Sequence, residues 1–136
     1  MHTTIIVCTI LLSILTLGLG FFVSVRRAQT GEVSAPGSDP ASPLTKAVRA
    51  HGNASEYIGP VIGLFLMTGF VYAGRDLGLL ASSLIVLITL ARVSHAIGLL
   101  TCETLAKPNP FRFAGALLTY CLGIGLGLFL LGRIIF

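Results

Sequence analysis

Arg49-Ala50-His51-Gly52-Asn53-Ala54-Ser55-Glu56-Tyr57 is the one place in the chain where charged and amide side chains crowd together just before a long apolar run. At about 100° per residue, Arg49, Asn53 and Glu56 fall at i, i+4 and i+7 on one helix face. From Tyr57 to Ala73 there is no charge. The polar face therefore stands at the mouth of a membrane helix. An ionisable cluster at that depth marks a candidate functional site, because burying charge in hydrocarbon is expensive.

The whole chain supports a membrane reading. Of its 136 residues 54% are hydrophobic and only 10% charged, with a mean hydropathy of +0.94. A water-soluble domain carries about 25% charged residues, so this chain lacks the polar surface to cover itself in water. Its net charge of +4 is scattered along the sequence. Without a dense basic stripe interleaved with aromatics, no nucleic-acid partner is expected. Cys8, Cys102 and Cys121 have no CxxC or Cys/His spacing, so no metal site is expected.

Outward from the opening stretch, the sequence predicts an all-α, four-helix, up-down membrane bundle forming a single domain over 1–136. Its spans are about 3–26, 44–73, 77–103 and 111–133, since about 20 apolar residues cross a bilayer. Thr3 to Val25 is uncharged, and Arg26-Arg27 follows the run instead of preceding it. That order favours a retained span over a cleaved signal peptide. Residues 28–43, with Gly31, Pro36, Gly37 and Pro40, read as an exposed loop. Pro43 suits a helix start, and Pro60 predicts a kink or a local break. Gly74-Arg75-Asp76 and Lys107-Pro108-Asn109-Pro110 read as further turns.

Arg26, Arg27, Lys46, Arg49, Lys107 and Arg112 flank the first and third loops, against Arg75 and Arg133 on the other side. The positive-inside tendency places loops 1 and 3, with residues 28–43, in the cytoplasm and both termini outside. Gly115, Thr119, Gly123 and Gly127, spaced by four, permit close helix approach, either between subunits or within one bundle.

The polar residues gather at one membrane level. Arg26, Arg49, His51, Asn53, Glu56, Arg92, His95 and Arg112 come from four helices and form a belt near the cytoplasmic face. Guanidinium groups bind carboxylates and phosphates in a planar, bidentate manner. Arg49 and Glu56 either pair with each other or grip a ligand. His95 either bonds a backbone carbonyl or joins the site. His51 lies on roughly the opposite side of its helix from Arg49 and is expected to serve a different subunit or solvent. The belt suits a small ligand with several carboxylates and one amine.

These residues resemble a known pattern. Arg49-x-x-x-Asn53-x-x-Glu56-Tyr57 followed by Pro60 is similar to the second-helix signature of the MAPEG family, the membrane-associated proteins of eicosanoid and glutathione metabolism. Ser24-Val25-Arg26-Arg27-Ala28 resembles the end of the first helix in the leukotriene-forming synthases. Arg92-Val93-Ser94-His95 resembles the third-helix motif of the microsomal prostaglandin E synthase. Arg112, ahead of Gly115 and Thr119, resembles the arginine that activates the thiol. The likeness covers nearly the whole chain and points to a bacterial-type member.

The resemblance implies a homotrimer that binds glutathione, as co-substrate, between subunits. Arg49, Asn53, Glu56, Tyr57 and Arg92 would hold the tripeptide, with His95 beside them. Arg26, His51 and Arg112 would come from a neighbouring subunit, Arg112 in the catalytic role. The implied activity is glutathione-dependent conjugation or reduction of a lipophilic electrophile arriving through the membrane. Leu99 stands where many catalytic members have a tyrosine, and Phe113 where the prostaglandin synthase has a serine. The alternative is a non-catalytic lipid-binding or scaffold protein of the same fold.

Overall fold

The computed structural model describes residues 2–31 and 39–136. It contains α1 (Thr3–Thr30), α2 (Pro43–Val71), α3 (Gly78–Thr101) and α4 (Pro110–Ile135), with no strand among the described residues. All four are long and apolar enough to cross a membrane. Helix is the form such segments must take, because hydrocarbon supplies no partner for backbone N–H and C=O groups.

The helix ends follow local chemistry. α1 continues past Arg27 through Ala28 to Thr30, further than the expected end at 26, and stops where Gly31 adopts φ 73° and bonds Arg27 O at 2.9 Å. Part of the expected 28–43 loop is therefore helical, and its residues 32–38 lie outside the described residues. Pro43 occupies the first turn of α2, where its missing N–H costs nothing. α2 runs on through Pro60 as continuous helix, and because Pro60 has no N–H to give Glu56 O, the ladder lacks one bond there, as expected. α3 ends at Thr101, short of the expected 103, because Cys102 turns to extended backbone at ψ 148°. Asn109 caps α4, its side-chain Oδ1 accepting from the Arg112 N–H at 2.9 Å.

α2 and α3 form the centre of the bundle. α1 packs on α2 and α3, α4 on α3 and α2, and α1 and α4 do not meet. Ile5, Leu12, Phe65, Ile85, Ile88 and Leu126 are fully enclosed, whereas Leu17, Phe21, Phe70, Leu79 and Leu128 point outward. With lipid around it, such a bundle gains little from hydrophobic burial between helices and depends on close packing. Hydroxyls inside the spans are absorbed by their own helix. Thr16 donates to Leu12 O, Thr68 to Leu64 O, Thr89 to Ile85 O and Thr119 to Gly115 O at 2.7–3.0 Å.

The tightest seam joins α3 to α4. A Cβ on Gly115 would stand 2.6 Å from the His95 N and 2.7 Å from Ala91 O. A Cβ on Gly98 would run into the Arg112 backbone N and stand 2.8 Å from its Cα. Gly115, Thr119 and Gly123 are buried within the chain. At Gly115 the small-residue row thus serves packing within one bundle.

Candidate functional site

The α3–α4 seam sets the site. With two glycines at the crossing, the first turn of α4 lies against the last two turns of α3, and Arg112 is fixed beside His95. His95 Nδ1–H donates to Arg112 O at 2.8 Å. A carbonyl only accepts, so Nδ1 carries the proton. The carbonyl-bonded reading of His95 is the one realised, although its ring also borders the cleft described below. Asn109 reinforces the join, donating through Nδ2 to Gly98 O at 3.0 Å while Oδ1 caps α4. The Arg112 guanidinium donates through Nη1 to Leu105 O at 2.9 Å, holding the α3–α4 connection. That connection is tied in turn to the first loop by Leu105 N–H to Pro40 O at 3.0 Å and to α2 by Lys46 Nζ to Cys102 O at 3.1 Å.

Across from this seam, α2 presents the opening motif. Asn53 faces α3 and accepts from Arg92 twice, through Oδ1 at 2.7 Å and through its backbone O at 3.3 Å. Arg92 is only 2% exposed, and its Nε has no partner. Its guanidinium lies 5.4 Å from the centre of the Tyr57 ring. Tyr57 meets Tyr120 of α4, ring centres 5.4 Å apart, with Tyr120 Oη donating to Tyr57 Oη at 3.1 Å. Arg49 and Glu56 do not pair with each other, and among the described residues neither side chain bonds any other group. Both are exposed.

Between these walls lies a cleft of about 260 Å³ lined by Arg49, Asn53, His95, Leu99, Arg112 and Tyr120 among others. It is smaller than a cavity at the opposite end of the bundle, but it gathers Arg49, Asn53, His95 and Arg112 of the polar belt. Two guanidinium groups without carboxylate partners give it a positive character suited to an anionic ligand.

Not every expected residue is here. Arg26 stacks over Phe22 at 4.8 Å and donates to Gln29 at 3.1 Å, on the α1 flank that does not touch α4. The belt thus draws on α2, α3 and α4 within one chain. Within its own chain His51 faces α1 and is half-buried. Its Nε2 stands 3.1 Å from where a Cβ on Gly20 would be, and Ser55 Oγ lies 3.4 Å from the same nitrogen. The absence of a side chain on Gly20 opens that space. Tyr120 and Asn109 escaped the sequence reading. Tyr120 lies two turns beyond Arg112 on α4, and Asn109 stands directly before Pro110, a capping pattern that was read only as a chain break.

No curated protein matches the chain. The model of the MAPEG family matches residues 5–132, which takes in all of α2, α3 and the cleft and nearly all of α1 and α4. With four membrane-crossing helices and the polar motif of α2 turned onto α3, the chain is an integral membrane protein that belongs to the MAPEG family.

Proposed function

We propose that the protein is a membrane-bound, glutathione-dependent transferase that conjugates or reduces a lipophilic electrophile. The observation that carries this reading is the cleft between α2 and α4, in which Arg49 and Arg112 face one space while Arg92 holds Asn53 at its wall. Glutathione offers two carboxylates for the guanidinium groups and one ammonium for Glu56, whose carboxylate is otherwise unpaired. Arg112 beside the thiol favours thiolate, and thiolate is the nucleophile. Tyr120 lines the cleft and meets Tyr57 of α2, and an apolar electrophile would come from the membrane.

The proposal includes a homotrimer in the bacterial inner membrane, loops 1 and 3 cytoplasmic. Arg26 lies away from the cleft of its own chain, which fits a role in a neighbour's site. The test is glutathione binding to purified protein, wild type against Arg49→Ala. Weaker binding in the variant supports the site, and equal affinity overturns it. A second reading, a binding or scaffold protein of the same fold, draws on Leu99, an apolar, 3% exposed residue in the cleft wall, and on the Arg112 guanidinium already bonded to Leu105 O. That reading predicts binding without turnover.

A further inference from the structure

A cavity of about 590 Å³ lies at the α2–α3 turn. Tyr72 is 23 residues beyond Arg49 along the chain and at the other end of α2, about 35 Å away at 1.5 Å per residue. The hydrocarbon core is about 30 Å thick, so this cavity opens at the opposite membrane boundary from the cleft.

Its parts are of two kinds. Tyr72, His2, Arg75 and Asp76 line the polar side, and Leu66 and Phe70 the apolar side. Tyr72 is 6% exposed and fastened from two directions. His2 Nε2 donates to its carbonyl at 3.2 Å, and Arg133 Nε donates to its hydroxyl at 3.4 Å with the guanidinium 5.7 Å from the ring centre. Arg75 and Asp76 are neighbours of opposite charge, yet among the described residues neither side chain has an ion-pair or hydrogen-bond partner. Gly74, at φ 72°, turns the backbone that carries them.

Phe70 is shared with a second cavity, an apolar groove of about 510 Å³ between α2 and α4 lined by Leu64, Met67, Leu131 and Ile134. A polar pocket at the membrane boundary therefore borders a hydrocarbon-lined groove running along the span. A water-soluble ligand has no use for the groove, and a plain hydrocarbon has none for the charge pair. We propose that this is a lipid site for phosphatidylethanolamine, with Arg75 on the phosphate, Asp76 on the primary ammonium and an acyl chain along Met67 and Leu131. Phosphatidylglycerol lacks the ammonium and leaves Asp76 facing an anion. Phosphatidylcholine has no N–H to donate to a carboxylate. The inference does not depend on the proposed transferase activity.

The chain contains no tryptophan, so Met67→Trp places a single fluorescent reporter in the groove at a position already 52% exposed. The protein is reconstituted in bilayers doped with lipids brominated on the acyl chains and carrying one of the three headgroups. Brominated phosphatidylethanolamine is expected to quench this reporter with about tenfold higher relative affinity than the other two, as charged hydrogen bonds warrant. Asp76→Asn should bring the ethanolamine preference over choline close to one. Arg75→Gln should weaken all three. Both changes are on an exposed turn and leave the core untouched. A reporter at Ile14→Trp, 61% exposed on α1, should show no headgroup preference. Equal quenching by the three lipids at the Met67 position overturns the proposal, as does quenching by none of them. Release of the brominated lipid by millimolar soluble phosphoethanolamine also overturns it, since the ligand would then be water-soluble.

Discussion

Arg92 Nη2 donates to Asn53 Oδ1 at 2.7 Å, joining a guanidinium that is 2% exposed on α3 to the amide of the α2 motif. This bond links the two central helices at the level of the cleft. Asn53→Ala removes the charged group's side-chain acceptor and should cost about 1.5–3 kcal/mol, read as a lowered unfolding temperature in detergent. Asn53→Asp keeps an acceptor and should preserve most of that stability. It should weaken glutathione binding all the same, because the new carboxylate neutralises Arg92.

Gly98 and Gly115 test the seam that positions Arg112. An added methyl at either meets backbone, which cannot step aside as a flexible side chain can. Gly98→Ala and Gly115→Ala should each lose about 1–3 kcal/mol through overpacking. Gly123 is also buried on α4, but a Cβ there meets nothing within 4 Å. Gly123→Ala should be neutral or gain up to about 1 kcal/mol from helix propensity. Equal loss at all three positions, measured by thermal unfolding, would sink the seam argument.

Arg112 carries the proposed chemistry. Arg112→Ala should lower the rate of glutathione conjugation to a chloronitrobenzene by about a hundredfold or more, the scale for removing one charge-stabilising donor. Full retained turnover would take Arg112 out of the mechanism. The variant also loses the bond to Leu105 O. Glutathione affinity measured on the same preparation therefore separates lost chemistry from a disordered connection.

His51 faces Gly20 of α1 in its own chain. His51→Ala should lower thermal stability through the α1–α2 contact while leaving glutathione affinity unchanged. A clear rise in the glutathione Kd would place His51 in the site, contributed by a neighbouring subunit.

The Tyr57 and Tyr120 hydroxyls bond to each other at 3.1 Å, with Tyr120 lining the cleft and 44% exposed. Tyr120→Phe should change stability by no more than about 0.5 kcal/mol, as exposed substitutions do. A change in the KM for the electrophile without a change in glutathione Kd would place this pair on the electrophile's side of the cleft. No change in either would leave it with a structural part alone.

Much of this molecule can be read from the order of its residues. Four predominantly apolar runs of spanning length determine four helices, because a backbone in hydrocarbon must satisfy itself internally. Position along each helix also determines depth, which is why Arg49, Asn53, Arg92 and Arg112 could be assigned to one membrane level. Azimuth and partnership are another matter. Helical periodicity says which residues share a face but not which helix that face meets. Only the tertiary structure decided that Asn53 serves Arg92, that His51 turns to the gap left by Gly20, and that α1, with Arg26, never touches α4. Gly98 makes the same point most sharply. It belongs to no motif, yet its missing side chain is what lets the backbone of Arg112 come to rest on α3.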